Sequence, residues 1–330
     1  MQGSASLAFP RAAAALVVSL LFVVSCSLKQ AGEDSGFYPG KLGIARAKNL
    51  SPRGREIEAR FAAYLEDHTD EALVRYQKKY GKEINTDNAR ELSPDYAPGG
   101  MEAEDTATRD ARARWSAAVH EPSSAFTKEI FRRELKKPAA ANERNQVIFT
   151  AGGAGVGKTS SIHQVAGLEE AVAAAQIVYD TTLSSLKSSL ERVSQALEAG
   201  KQVSIIYVYR DPVESFTGGA LPRAERNGRT LPLDAYIETH LGAPEVLLKI
   251  ADVYKGDARL AIAIIDNSRG RGGAAVSDLS FVRSVAGKYT RDELRTKLAR
   301  ALEDAYEKGK HGEKDGISEV IYRGFKGDVS

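Results

Sequence analysis

The chain has 330 residues, enough for one large domain or two smaller ones, and its 42% of hydrophobic residues can form a sizeable core. Its 46 basic and 44 acidic residues leave a formal charge of +2 that is spread along the length. This balance gives no electrostatic footprint for nucleic acid, so we expect a globular protein with no nucleic-acid partner.

The N-terminus has the features of an export signal. An apolar run from Ala12 to Val24 follows Arg11 and is shorter than a membrane span. The single cysteine, Cys26, comes directly after Ser25 in a stretch that resembles a bacterial lipobox, where cleavage precedes a lipid-modified cysteine. We expect residues 1–25 to be a signal peptide and Cys26 to anchor the protein to a membrane, facing the periplasm. The alternatives are a free cysteine after an ordinary signal peptide and a mis-assigned start, which leaves the protein cytoplasmic.

Residues 26–50 are predicted to be a tether, and residues 51–140 a helical region. Apolar side chains recur every three or four residues from Arg53 to Gly81 and from Thr106 to Lys137, with an interruption expected near Pro122. The stretch 85–100 predicts an ordered loop. The expected buried faces contain Ile57, Phe61, Tyr64, Leu65, Leu73, Tyr76, Tyr80, Trp115, Phe126, Ile130, Phe131 and Leu135. We expect this region to pack on the domain that follows it.

The most specific motif follows a strand predicted at Val147 to Thr150. It fits G-x-x-x-x-G-K-[ST] at Gly152, Gly157, Lys158 and Thr159. Small residues let backbone N–H groups turn onto phosphate oxygens, Lys158 neutralises the β- and γ-phosphates, and Thr159 offers a hydroxyl to Mg²⁺. The predicted nucleotide-binding residues are Gly152, Gly153, Ala154, Gly155, Val156, Gly157, Lys158, Thr159 and Ser160. We expect ATP or GTP with Mg²⁺; a plain glycine-rich turn, the alternative, needs neither Lys158 nor Thr159.

Strands and helices alternate over residues 141–275. Further apolar runs predict buried strands at 176–180, 203–209 and 260–265. Asp211 followed by Pro212 and Glu214 predicts a capped helix. Alternation of this kind favours an α/β fold, here the three-layer P-loop NTPase fold with a mostly parallel sheet. Residues 276–330 are predicted to be a helical segment in which Thr290 and Glu293 form a capping box.

Several polar residues are candidates for chemistry. Asp180 ends a predicted strand, at the sheet edge where such folds bind ligands, so it is predicted to hold Mg²⁺ or accept a hydroxyl proton; the alternative is a helix cap. Arg223, Arg226 and Arg229 lie in a stretch rich in glycine, proline and arginine, residues 218–232, which we name the lid segment. They are predicted to close over the triphosphate, or else to be solvated surface charges.

Asn267 follows the strand at 260–265 and is predicted to line the base or phosphate pocket, although a simple turn accounts for it equally well. The five histidines show no metal-ligand spacing, and no G-x-S-x-G motif is present. We therefore expect no metal other than Mg²⁺ and no serine hydrolase chemistry.

The phosphate loop, the segments 177–183 and 207–212, and the stretch 223–240 together resemble the zeta toxin family of bacterial P-loop kinases. The segment 85–96, with His120-Glu121-Pro122, resembles the N-terminal part found in a chromosomal branch of that family. The resemblance covers roughly residues 80–275. It implies transfer of the γ-phosphoryl group of ATP or GTP to a hydroxyl, which in the best-known members belongs to UDP-N-acetylglucosamine.

Residue by residue, the resemblance matches Lys158 and Thr159 to the nucleotide and Mg²⁺ residues, and Arg223 or Arg226 to the catalytic lid arginines. Asp180 has two matches. Its distance from Lys158 suits the family's catalytic aspartate, whereas Asp180-Thr181-Thr182-Leu183 is similar to the acidic motif on the family's next strand. Under the second match the chain lacks one strand–helix unit, and its acceptor pocket and general base are undefined.

Three hypotheses follow: a kinase that phosphorylates a small-molecule hydroxyl, a nucleotide-dependent ATPase or switch, and a lipid-anchored nucleotide-binding module without turnover. The kinase needs an acceptor pocket and a base, and the ATPase needs only a positioned water. The sequence identifies neither the acceptor nor an antitoxin partner.

The lipobox predicts a measurable location. The parent protein should fractionate with membranes, and with the outer membrane in particular, since Ser27 rather than an aspartate follows the cysteine. Cys26→Ala should move it to the soluble fraction, because the lipid attachment site is lost. Fractionation followed by immunoblotting checks this, and a variant that stays with the parent shows that Cys26 is not the anchor.

Overall fold

The computed structural model describes residues 36–270 and 272–328. The predicted signal peptide and Cys26 lie outside the described residues. Residues up to Phe37 and residues 38–330 form separate units, and the account below concerns the second of them. Within the described ranges, no helix is both long and apolar enough to cross a bilayer.

Helices dominate the region before the phosphate loop, as the apolar spacing predicts. The first helix begins after Ser51, whose hydroxyl accepts a hydrogen bond from the backbone of Gly54. The first helical stretch divides at His68. The second is interrupted between Trp115 and His120, close to the predicted place, and Pro122 lies in the first turn of the helix that begins there. The elements are α1 (Pro52–Asp67), α2 (Thr69–Tyr80), β1 (Glu83–Asn85), α3 (Thr86–Ala89), a 3₁₀ turn (Arg90–Leu92), α4 (Thr106–Trp115) and α5 (His120–Leu135).

A six-stranded sheet forms the centre of the protein. Besides β1, its strands are β2 (Arg144–Ala151), β3 (Ala175–Asp180), β4 (Gln202–Tyr209), β5 (Leu260–Asp266) and β6 (Ala275–Ser277). Their order across the sheet is β1-β3-β2-β4-β5-β6. All neighbouring pairs are parallel except β5 and β6. The fold is therefore α/β with a mostly parallel sheet, as predicted.

The helices after the phosphate loop include two whose caps the sequence predicts. Asp211 accepts hydrogen bonds from the backbone of Val213 and Glu214, and Thr290 and Glu293 form both bonds of a capping box. The helices are α6 (Lys158–Ile162), α7 (Leu168–Ala174), α8 (Leu186–Glu198), α9 (Pro212–Ser215), α10 (Leu221–Asn227), α11 (Leu233–Val253), α12 (Leu279–Val285), α13 (Arg291–Lys310) and α14 (Glu319–Lys326). Between α9 and α10 lies a π turn, Phe216–Ala220.

Both faces of the sheet are buried, because side chains alternate between them along each strand. On one face Phe149 and Tyr179 pack with residues of α1, α2, α5, α8 and α11. On the other face Ile148 and Val178 pack with residues of α6 and α7. The sheet is thus the middle of three layers, and the helical N-terminal region belongs to one of the outer layers.

One edge of the sheet is formed by a segment that precedes the phosphate loop. β1 runs parallel to β3, with Ile84 opposite Tyr179 and Asn85 opposite Asp180. The sequence predicts only a loop from Asn85 onward, and this expectation is wrong for the short elements β1 and α3, which are too brief to show a periodic pattern. The N-terminal region therefore extends the sheet as well as covering it.

Phe131 tests this packing. Its ring centroid lies 5.2 Å from that of Tyr179 and 5.9 Å from that of Phe149, so α5 contacts both central strands through it. Phe131→Ala should lower the free energy of unfolding by about 3–5 kcal/mol, because it leaves a cavity between helix and sheet. Urea denaturation followed by circular dichroism measures this loss.

Val74→Ala is the matched control, since Val74 is 67% exposed on α2. It should change the free energy of unfolding by no more than about 0.5 kcal/mol. If Phe131→Ala proves as mild as this control, α5 does not contribute to the core as the structure indicates.

Candidate active site

The phosphate loop connects β2 to α6. Its backbone N–H groups at Gly155, Gly157 and Lys158 have no hydrogen-bond acceptor among the residues that the structure describes. Gly157 has a φ of 83°, a conformation that favours glycine, and it lies directly before the first residue of α6. Because α6 has only five residues, its helix dipole is weak. The open amides of the loop and Lys158 are therefore the main groups available to an anion.

Helix α11 supports the loop from behind. A Cβ atom at Gly153 would lie 2.5 Å from the ring of His240, so only glycine fits there. Burial lowers the pKa of His240 to about 4, which leaves the ring neutral at neutral pH. Its Nε2–H then donates to the carbonyl of Ala154 at 2.9 Å, and Thr239 Oγ1 accepts from the backbone of Ala154 at 3.3 Å. From the sequence, His240 is tested only as a metal ligand. Its supporting role is missed, because the spacing of residues along the chain does not show which helix packs behind the loop.

Asn267 also supports the loop. Its side chain is buried and donates from Nδ2 to the carbonyl of Val156 at 2.7 Å. It is not among the residues that line the adjoining pocket. Asn267 therefore supports the phosphate loop from behind. It does not line the pocket, although the sequence predicts that it does.

Asp180 lies at the centre of the site. Its Oδ1 atom is 2.8 Å from Lys158 Nζ and accepts from Thr150 Oγ1 at 2.6 Å. Its Oδ2 atom accepts from Asn85 Nδ2 at 2.8 Å. Asp180 caps no helix, because α8 begins only at Leu186 and no backbone N–H within the described ranges donates to its side chain. Both carboxylate oxygens are therefore fixed by groups on β1, β2 and α6.

A pocket of about 880 Å³ opens between the phosphate loop and the N-terminal region. Of the residues singled out from the sequence, those from Gly153 to Ser160, Asp180, Arg223 and Arg229 line it, whereas Gly152 and Arg226 do not. Residues of the N-terminal region complete its wall: Glu83, Asn85, Thr86, Asp87, Asn88, Arg90 and His120. Sequence analysis did not associate these side chains with the site.

The three arginines of the lid segment have different surroundings. Arg229 Nη2 is 2.8 Å from Glu91 Oε1 and donates to Asn88 Oδ1 at 3.1 Å. Arg223 forms no ion pair or hydrogen bond with any residue that the structure describes, and its Nε atom is buried without a partner. Arg226 is exposed. Among the three, Arg223 is the pocket arginine that forms no ion pair or hydrogen bond with a described residue.

Glu91, which binds Arg229, is 4% exposed and has several other partners. Lys79 Nζ lies 3.0 Å from Oε2, Arg112 Nη2 lies 3.5 Å from Oε1, and the Tyr80 hydroxyl donates to Oε2. Burial alone would raise the pKa of Glu91, but the hydrogen bonds from Tyr80 and Arg229 hold it below the ordinary value. Glu91 therefore joins the lid segment to the N-terminal region as a buried carboxylate.

The lid segment is more regular than its composition predicts. Its middle forms α10, and Glu225 on that helix accepts from Arg109 Nη1 at 3.0 Å and from the backbone of Ser318 at 2.8 Å. Pro222 lies in the first turn of this helix and Gly228, with a φ of 77°, ends it, and these long-range contacts stabilise the helix further. Arg223 is carried on this helix.

The site offers few side chains that could bind a metal ion without help from a ligand. In the described part of the chain, no three side chains of His, Cys, Asp or Glu are close enough to form a metal site by themselves. Mg²⁺ bound with a triphosphate usually needs only one or two protein oxygens, because phosphates and water supply the rest. The exposed hydroxyl of Thr159 and the carboxylate of Asp180 fit that requirement.

The comparison with protein families finds one match, which covers part of the site. A family model described as Zeta toxin matches residues 168–270, about a third of the chain. No curated protein matches the chain. The matched part begins after the phosphate loop and contains β3, β4, β5 and the lid segment. The chain is thus similar to zeta toxins, which supports P-loop nucleotide binding and kinase-like chemistry in general.

The contrast between Arg229 and Arg223 leads to a prediction about stability. Arg229→Ala should lower the free energy of unfolding by about 1–3 kcal/mol, because it removes a charged hydrogen-bond donor from the buried Glu91. Arg223→Ala, the matched control on the same segment, should change it by no more than about 0.5 kcal/mol, since it breaks no ion pair. Chemical denaturation of both variants checks this, and equal losses would contradict the assignment of Arg229 as the structural arginine.

Proposed function

We propose that this protein binds ATP or GTP with Mg²⁺ and transfers the γ-phosphoryl group to a hydroxyl of a small molecule. The observation that carries the proposal is one continuous pocket of about 880 Å³, lined on one side by the phosphate loop and on the other by side chains of the N-terminal region. Pockets of roughly 300–1,000 Å³ hold drug-sized ligands, so this one has room beyond the phosphates. An ATPase or switch needs no such space.

In this proposal the phosphate loop binds the donor. The open N–H groups of Gly155, Gly157 and Lys158 face phosphate oxygens, and Lys158 Nζ, now 2.8 Å from Asp180 and from the carbonyl of Thr181, neutralises the β- and γ-phosphates. Thr159 and Asp180 would hold Mg²⁺, which when bound neutralises charge on the transferring phosphate. Asp180 suits this role because its carboxylate is already oriented by Thr150 and Asn85.

Arg223 is the lid arginine that we assign to the transferring phosphoryl group. It lines the pocket and forms no ion pair or hydrogen bond with a described residue, whereas Arg229 is bound to Glu91 and Arg226 is exposed. A guanidinium whose N–H groups have no protein acceptor is available to donate hydrogen bonds to an anionic ligand such as a phosphoryl group. An arginine in this position contributes about 10³ to 10⁵ in rate.

Two finer parts of the proposal come from the sequence. The resemblance to zeta toxins suggests a UDP-N-acetyl sugar as the acceptor, and the lipobox suggests a membrane lipoprotein that faces the periplasm. Together they require a source of nucleoside triphosphate outside the cytoplasm. The fractionation of the Cys26→Ala variant decides whether that requirement applies.

Variants of the phosphate loop test the donor site. Lys158→Ala should weaken both nucleotide binding and turnover, since it removes the main cation of the loop. Thr159→Val should remove the Mg²⁺ dependence of nucleotide binding, because the hydroxyl is lost while the side-chain shape is kept. Isothermal calorimetry with ATP or GTP, with and without Mg²⁺, measures the affinities.

Thr159→Ser is the matched control, because it retains the hydroxyl and should keep the Mg²⁺ dependence of the parent. Turnover is followed with γ-labelled ATP and a panel of UDP-sugars. A parent protein that binds no nucleotide would remove the kinase proposal altogether.

A further inference from the structure

The chain order of the elements around the pocket differs from their order in space. β1 and α3 precede the phosphate loop in sequence, yet β1 lies at the sheet edge beside β3, the strand that follows the loop. Asn85 is level with Asp180, which is level with Thr150 of the phosphate-loop strand. The next residues, from Thr86 to Arg90, therefore begin at the carboxyl edge of the sheet, where α/β folds bind their ligands.

Asp87 lies just beyond this edge. It is in the first turn of α3, where its backbone N–H donates to Asn85 Oδ1 at 2.8 Å, and its side chain lines the pocket. The Asp87 side chain is 35% exposed, although the residues around it are largely buried. The carboxylate is thus fixed at its base and open toward the pocket.

Five carboxylates line the pocket. Two of them, Glu169 and Glu238, form ion pairs with His163 and Arg291. Of the other three, Glu83, Asp180 and Asp87, only one lies beyond the strand ends with an oxygen open to a mobile partner. Both oxygens of Asp180 are bound by protein groups. Glu83 is level with Val178, before the edge of the sheet, and its Oε1 accepts from Asn85 and Asn88 at 3.3 Å.

Asp87 differs from both. Its Oδ1 lies 3.2 Å from Arg90 Nη1, and its Oδ2 has no partner among the described residues. It is therefore the carboxylate beyond the strand ends that has an oxygen free to accept a hydrogen bond.

The charges around Asp87 keep it ionised. Burial alone would raise the pKa of this carboxyl, but Arg90, Arg229 and Arg223 hold it well below its ordinary value. Arg90 is oriented in turn by His120, whose Nδ1 lies 2.8 Å from Arg90 Nη2. Burial and the charge of Arg90 lower the pKa of His120 to about 4, so the neutral ring accepts this hydrogen bond at neutral pH.

We infer that the segment from Glu83 to Arg90 forms the acceptor half of the site and that Asp87 receives the proton of the acceptor hydroxyl. This inference rests on the proposed kinase function. The acceptor oxygen forms a bond to the γ-phosphorus, the bond from that phosphorus to the β,γ-bridging oxygen breaks, and the hydroxyl proton passes to Asp87 Oδ2. The nucleoside diphosphate leaves with the bonding electron pair. A weakly basic carboxylate suffices, since in a loose transition state there is little bond formation to the attacking oxygen.

Asp180 resembles either the catalytic aspartate of zeta toxins or the acidic motif on their next strand, and the assignment of Asp87 favours the second match. With Asp180 bound to Lys158, the strand–helix unit absent after the phosphate loop is supplied by β1 and α3 from earlier in the chain. Asp87, and not Asp180, is then the catalytic carboxylate toward the acceptor.

Asp87→Asn in the full-length protein tests the inference. Calorimetry with the non-hydrolysable analogue AMP-PNP and Mg²⁺ should give an affinity within about threefold of the parent, because Asp87 does not contact the donor. Turnover of γ-labelled ATP, with a panel of UDP-sugars and with water alone as acceptor, should fall by about 10²-fold or more, since the proton acceptor is lost. Asp95→Asn, five residues beyond this segment and outside the pocket lining, changes a carboxylate that is bound to Arg60 and should keep the parental rate. Glu83→Gln should lose less than about tenfold.

Thermal denaturation shows whether Asp87→Asn is folded. If it is not, Asp87→Glu keeps the charge beside Arg90 but displaces the carboxylate, and it should lose at least about tenfold in turnover at the parental Tm. A folded Asp87 variant with the parental rate, or a Glu83→Gln variant that loses as much as Asp87→Asn, overturns the inference while leaving the kinase function intact. A parent that hydrolyses and transfers nothing overturns both.

Discussion

The site depends on the hydrogen bonds and the ion pair of a single carboxylate. Asp180 binds Lys158 at 2.8 Å, Thr150 at 2.6 Å and Asn85 at 2.8 Å, and these partners come from the phosphate loop, its strand and the edge strand. The carboxyl ends of three adjacent strands are thereby held in register. A partly buried carboxylate is stable there only because a cation and two neutral donors compensate for its desolvation. This arrangement fixes the place of the pocket at the carboxyl ends of the three strands and places Lys158 and Asp180 side by side in it.

The N-terminal region from Tyr38 onward and the sheet with the phosphate loop belong to one compact unit. Phe131 packs on the central strands, β1 extends the sheet, and Glu91 binds Arg229 of the lid segment. Each contact joins residues far apart in sequence, so the pocket forms only when the helical region and the sheet fold together. This explains how residues that precede the phosphate loop in the chain form one wall of the pocket beside it.

Much of the fold was predictable from local patterns. The strand before Gly152, the apolar run ending at Asp180 and the capping residues Asp211 and Thr290 each carry their own signal, because strands, helices and caps depend on nearby residues. The acceptor side was not predictable. Asp87 lies in a helix of four residues that follows a strand of three, and its position at the pocket depends on the pairing of Asn85 with Asp180, 95 residues further along the chain. The different roles of Arg223 and Arg229 likewise depend on Glu91, a distant partner.

The most direct test of this account is a crystal structure of the protein with AMP-PNP and Mg²⁺. We expect the γ-phosphate to lie on Lys158 and the open amides of the phosphate loop, with Arg223 turned toward it. The Asp87 carboxylate should face the γ-phosphorus across a gap that fits one hydroxyl oxygen. A nucleotide bound elsewhere, or a γ-phosphate whose open side faces Asp180 while Asp87 points away, would contradict the account.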